Sequence, residues 1–120
     1  MKTIIRLKRI YDKPSREDGI RILVDKLWPR GISKDKAELD MWLKEVAPSD
    51  DLRKWFSHDP GKLEGFKEHY LKELDQKTEY VDQVIERAED NDVTLLYAAK
   101  DEKYNNAVVL MEYIKNKGND

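Results

Sequence analysis

The tract Val93-Thr94-Leu95-Leu96-Tyr97-Ala98-Ala99 is nearly continuous in apolar residues and constrains the fold more than any other stretch of the chain. A strand of this kind cannot leave one face in water, so it belongs at the centre of a parallel sheet with helices on both faces. Residues 3–10 and 20–27 read as two further strands. In the second, Ile20, Ile22 and Val24 line one face while Leu23 and Leu27 add apolar bulk to the other.

Between residues 27 and 93 the period is helical. Leu39, Trp42, Leu43 and Val46 fall at i, i+3, i+4 and i+7, and Leu52, Trp55 and Phe56 repeat the start of that pattern, which predicts two short helices. Pro48 and Ser49 separate them, with Ser49 as N-cap and Asp50 and Asp51 at the positive helix end. Asp59-Pro60 introduces a third helix with the stripe Leu63, Phe66, Tyr70 and Leu74; Thr78 caps a fourth with Val81, Val84, Ile85 and Ala88. Asn91-Asp92 turns the chain into the apolar tract. A last helix over residues 105–117 buries Ala107, Leu110, Met111 and Ile114 and stops at Gly118.

The order strand, strand, four helices, strand, helix, without repeat or linker, predicts a single small α/β domain over residues 1–120. Its sheet is mostly parallel, of three or four strands, and flanked by helices. The nine residues 11–19 are short for a parallel crossover, so the first two strands are antiparallel unless a tight helical turn spans residues 14–18. A chain of 120 residues buries about two thirds of its open surface, enough for one core.

Lacking cysteine, the chain has no disulfide, zinc ribbon, iron–sulfur cluster or thiol nucleophile. No apolar run has the length of a signal sequence or a membrane span, so a cytoplasmic soluble protein is expected. The net charge of −2 conceals an asymmetry: residues 1–36 carry 11 basic and 5 acidic side chains, and the remainder 12 and 20. A basic first third hints at an anionic partner, and a solvated charged rim produces the same count.

Ligands of α/β sheets bind beyond the carboxyl ends of the strands. Asp25-Lys26-Leu27-Trp28-Pro29-Arg30-Gly31 follows the second strand, and Lys100-Asp101-Glu102-Lys103-Tyr104-Asn105-Asn106 follows the apolar tract and opens the last helix. Trp28-Pro29-Arg30-Gly31 holds an aromatic ring and a planar cation on a short leash, a pairing that grips carboxylate or phosphate; the bland alternative is a core cap and a surface ion pair. Asn105 and Lys100 offer an anion seat at a helix start, or simple capping. His58 lies beside Asp59 in sequence and is either a general base or a turn residue, while His69 sits on a solvated face. Asp12, Asp25, Asp59 and Asp101 do not match a metal loop, so no metal and no cofactor is expected. Walker, dinucleotide-binding, nucleophile-elbow and zinc-protease motifs are absent.

Five stretches together carry a family resemblance: Arg9-Ile10-Tyr11-Asp12; Gly19 through Gly31 with its Asp25-Lys26-Leu27-Trp28-Pro29-Arg30-Gly31 end; Trp42-Leu43-Lys44-Glu45-Val46-Ala47-Pro48-Ser49; Leu52-Arg53-Lys54-Trp55-Phe56-Ser57-His58-Asp59-Pro60; and Leu95-Leu96-Tyr97-Ala98-Ala99-Lys100-Asp101. The chain resembles the YeaO-like branch of the bacterial domain-of-unknown-function family 488 over nearly its whole length. The resemblance implies an α/β fold and no particular reaction. Longer relatives in that family carry a Cys-His-Arg cluster in the loop after the last core strand, where this sequence reads Tyr104-Asn105-Asn106.

The leading functional reading is a crevice for a small anionic or nucleotide-like ligand formed by Arg9, Arg21, Trp28, Arg30, Lys100, Asp101 and Asn105, with Asp25 and His58 as candidate bases should there be catalysis. The alternative is a non-enzymatic nucleic-acid or protein interaction module using the basic first third, with Lys8, Arg9 and Lys13 as its contacts. A third is a structural protein whose Trp42 and Trp55 pack between helices or subunits.

Overall fold

Residues 93–97 form the central strand of the sheet, every side chain buried. The structure is a computed structural model that describes residues 3–57 and 59–118. Its strands are β1 (Ile5–Arg9), β2 (Ile20–Leu23), β3 (Met41–Trp42) and β4 (Val93–Tyr97), in the order β1-β4-β2-β3 and all parallel. Leu95 of β4 is in register with Leu7 of β1 on one side and Ile22 of β2 on the other. The first two strands are therefore parallel without touching: β4 inserts between them. The tight turn that makes this connection feasible is a 3₁₀ turn at Arg16–Asp18.

The helices among the described residues are α1 (Lys34–Ala37), α2 (Asp50–Phe56), α3 (Leu63–Asp75), α4 (Thr78–Asp90) and α5 (Asn106–Gly118). On one face of the sheet, Ile22, Val24, Val93, Leu95 and Tyr97 pack against Phe66, Tyr70 and Leu74 of α3, Val81 and Val84 of α4, and Ala107, Leu110 and Ile114 of α5. Ser49 caps α2 as its sequence predicts, its hydroxyl accepting the Leu52 amide at 3.2 Å. Thr78 does not cap α4; it is the first helical residue, and Lys77 occupies the cap position without a side-chain bond to the helix.

Leu39, Trp42, Leu43 and Val46 do not form a helix. The Asp40 and Leu43 amides instead donate to the Arg21 and Leu23 carbonyls at 2.9 Å, making the short edge strand β3, and a 3₁₀ turn follows at Lys44–Val46. A helix there would leave the outer edge of β2 unpaired, and the demand to satisfy those carbonyls outweighs the local period.

The second face is not covered by long helices. A small cluster of Ile10, Leu23, Ala37 and Leu96 lies under Trp28, Ile32 and Leu39. Beside it, the carboxylate of Asp18 accepts from Lys8 Nζ of β1 at 3.1 Å and Arg21 Nη1 of β2 at 2.5 Å, while its backbone carbonyl accepts from Thr94 Oγ1 of β4 at 2.7 Å. Arg21, only 5% exposed, spends its remaining donors on the Glu38 and Ala37 carbonyls. One acidic residue thus ties the 3₁₀ turn to three strands. The chain reaches it through Gly19, whose φ of +64° and missing Cβ allow a close approach to the Asp92 carbonyl, which a Cβ would meet at 2.2 Å.

Asp18→Ala leaves the buried Arg21 without its counter-charge and is expected to cost about 3–5 kcal/mol in urea unfolding. Burial alone pushes the Asp18 carboxyl up, but the Ser15 amide and the bonds from Lys8 and Arg21 together outweigh it and hold the group below its ordinary value. Because the folded-state value is depressed, this stabilisation is complete above the ordinary carboxylate range and is lost as pH falls through the lowered value. Unfolding midpoints measured from pH 7 to pH 3 should therefore show a shallower acid decline in the variant.

Candidate functional site

At the carboxyl ends of β2 and β4 the chain leaves the sheet in two divergent loops, and the space between them is a crevice of about 640 Å³. That volume lies within the range of roughly 300–1,000 Å³ typical of small-molecule sites. One rim is residues 25–30, the other is residues 98–101, and Asn106 stands at the start of α5. The far wall comes from Ala47 and Pro48 and from Arg53 and Phe56 of α2, with Phe66 of α3 beneath. Phe56 and Phe66 are both buried, and their rings stack with centroids 4.3 Å apart.

Side chains fasten this frame. Asp25, just past β2, accepts the Ala98 amide at 2.8 Å through one oxygen and Asn106 Nδ2 at 3.2 Å through the other, locking the two loops together. Trp28 donates its indole N–H to the Ile32 carbonyl at 2.6 Å, and Trp42 donates to the Asp25 carbonyl at 2.8 Å; the two indoles meet edge to face. Tyr11 donates to the Arg30 carbonyl at 2.9 Å. Under the wall, the Tyr70 hydroxyl donates to the Val46 carbonyl at 2.5 Å; burial first, then the charges of Asp25 and Glu73, push this phenol well above its ordinary value, so it stays a donor. Lys26 pairs with Asp50 at 3.1 Å, and this bond, aided by the charges of Lys26, Arg53 and Lys54, holds the Asp50 carboxyl low.

Of the side chains named from sequence, Asp25, Trp28, Arg30, Lys100 and Asp101 line this one crevice, with Arg30 and Lys100 exposed at its rim. Arg9 lies behind it, donating to the Ala99 and Ala98 carbonyls at 3.0 and 3.3 Å and so bracing the loop after β4. Arg21 is not brought to the crevice: it is near the start of β2, at the opposite end of the sheet, and is held by Asp18. Asn105 is buried and caps α5, accepting the Val108 amide at 3.0 Å and donating to the Asp101 carbonyl at 2.8 Å; its neighbour Asn106 is the one that lines the crevice. His58 lies outside the described residues.

Arg53 also lines the crevice, which the sequence alone does not mark. It reaches the crevice because α2 packs under the loop after β2, a tertiary fact that its place one turn before Phe56 on the same helix does not reveal. Trp55 is exposed on the same helix and lies against Gly65 of α3. Among the described residues no group of three or more His, Asp or Glu side chains is arranged to hold a metal ion, and no helix is long and apolar enough to cross a membrane.

A family model described as the inactive DUF488-N3 subclade matches residues 4–120. Uncharacterized protein YeaO of Escherichia coli strain K12 is 43% identical over 111 residues, 92% of this chain and 96% of that protein. Uncharacterized proteins Mb3100c of Mycobacterium bovis and Rv3073c of Mycobacterium tuberculosis are each 42% identical over 73 residues, 61% of this chain and 62% of theirs. No solved structure matches the chain.

The Asp25 bonds make a direct prediction about the frame. Asp25→Ala removes the acceptor of the Ala98 amide, so that amide should exchange with deuterium at least tenfold faster than in the parent protein. The variant should also unfold at lower urea, by about 1.5–3 kcal/mol for a charge-assisted bond.

Proposed function

This chain belongs to the family described as the inactive DUF488-N3 subclade, and from that premise we propose that it is a binding protein for small anionic or nucleotide-like ligands. The observation that carries the reading is the convergence of Arg30, Lys100 and Arg53 on one crevice at the carboxyl ends of β2 and β4, over an apolar floor. Cations at a concave, partly apolar site raise the local concentration of anions and fix their orientation.

Binding without turnover is supported by the chemistry of the same residues. The family description says inactive, the chain has no cysteine, and both Asp25 oxygens are engaged in holding the loops together rather than presented as a base. The nucleic-acid alternative draws less support from the basic first third, because much of that charge is spent internally. Arg6 pairs with Asp92, Lys8 and Arg21 with Asp18, and Arg9 is turned to backbone carbonyls.

Titrating the full chain with a panel of carboxylates, phosphomonoesters and nucleotides, followed by tryptophan fluorescence, should reveal at least one saturable ligand. Arg30→Ala combined with Lys100→Ala should weaken it at least tenfold. Silence across the panel, or affinity indifferent to both substitutions, would overturn the reading.

A further inference from the structure

We infer that the loop after β4 is a cradle for the dianionic head of a phosphomonoester, held by the backbone amides of Ala99 and Lys100, with Arg9 as the residue that positions them. The inference rests on the binding role proposed above and narrows its ligand class. Arg9 stands behind the crevice and donates from Nη2 to the Ala98 carbonyl at 3.3 Å and from Nε to the Ala99 carbonyl at 3.0 Å. The peptide bonds of the described residues are trans, and in a planar trans peptide the N–H of one residue points opposite to the C=O of the residue before it. Two successive carbonyls turned back to Arg9 therefore send two successive N–H groups, those of Ala99 and Lys100, toward the space that both residues line.

Neither of these amides donates to an acceptor among the described residues. Their neighbours in the same loop do: the Ala98 amide goes to Asp25, and the Lys103 and Tyr104 amides go to Asp101. Consecutive backbone N–H groups aimed at one point make a concavity that receives an anion. The cradle is set by the backbone, so no side-chain motif announces it.

The surrounding charges specify which anion. The Lys100 ammonium and the Arg30 guanidinium are exposed on opposite rims and make no ion pair among the described residues, whereas Lys26 and Arg53 share Asp50. In the lining as a whole four cations, Lys26, Arg30, Arg53 and Lys100, face only Asp25 and Asp101. A phosphomonoester head carries about −1.5 to −2 charges at neutral pH and three strong acceptor oxygens, enough to engage two amides, an ammonium and a guanidinium together. A carboxylate brings one charge and two oxygens and leaves part of this donor set unanswered. A phosphodiester likewise gives up one charge and one terminal oxygen, so the interior of a nucleic-acid strand fits less well than a terminal phosphate.

Calorimetric titration of the full chain with two matched pairs of probes, AMP with 3′,5′-cyclic AMP and phenyl phosphate with benzoate, tests the head group. Each monoester is expected to occupy a single site at least tenfold more tightly than its monoanionic counterpart. In the isotopically labelled chain, saturation with phenyl phosphate should move the Ala99 and Lys100 amide protons downfield more than any others, the signature of donation to an anion. Arg9→Lys keeps the charge but lacks the planar fork, and should weaken phenyl phosphate at least tenfold and remove both downfield shifts. Lys100→Ala should also weaken binding, yet keep the shifts, because its backbone N–H remains. Monoesters that bind no more tightly than their counterparts, amides of Ala99 and Lys100 that stay still at saturation, or undiminished affinity in Arg9→Lys each overturn the inference while leaving the crevice as an anion site. If none of the four probes binds, both fall.

Discussion

Burial of β4 on both faces and along both edges is the constraint from which the rest of this molecule follows. A strand with no water-facing side must pair left and right, and here it pairs with β1 and β2 in parallel. Parallel pairing sends the carboxyl ends of all three strands to one edge of the sheet, so loops some seventy positions apart in the chain emerge side by side. The polar groups at those ends are then satisfied by side chains rather than by more strand. Asp25 takes the Ala98 amide and Arg9 takes the carbonyls of Ala98 and Ala99. The crevice is a by-product of strand order, held open by bonds that also finish the sheet.

The two faces of the sheet solve the burial problem differently. One has the usual layer, with α3, α4 and α5 supplying aromatic and aliphatic side chains. The other has only α1 and two connections, because the short run from β1 to β2 has no room for a helix. Asp18 compensates by drawing Lys8, Arg21 and Thr94 to a single point, substituting oriented polar bonds for missing apolar area. Such an arrangement is costly to break and adds little by itself, since desolvating the charges offsets much of their attraction. Its physical role is to specify where the 3₁₀ turn sits against three strands.

How far the molecule was legible in its sequence depends on whether a residue's role is local. Val93–Tyr97 and the stripes of α3 and α5 could be read because burial on both faces, or on one, leaves a direct period in the chain. Trp42 and Leu43 have a helical spacing in the sequence because a two-residue edge strand followed by a 3₁₀ turn produces the same spacing of apolar residues; what decides between them is the unpaired edge of β2, which is invisible locally. For the site, parallel pairing is what brings the loops following β2 and β4 side by side, and residues of both line one crevice. Arg21 lies near the amino end of its strand and so away from that crevice, a position its residue type does not reveal, and Arg53 carries no local signal because only the docking of α2 under the loop after β2 brings it in.

The central claim is that residues 25–30 and residues 98–101 form one ligand site. Amide chemical shifts of the isotopically labelled full chain, followed while the tightest-binding member of the panel of carboxylates, phosphomonoesters and nucleotides is added, test it most directly. The account predicts that both stretches shift together along a single binding curve, with the amides around Arg53 following the same curve. Shifts confined to one stretch, or gathered instead on the exposed basic segment before β2, would contradict it.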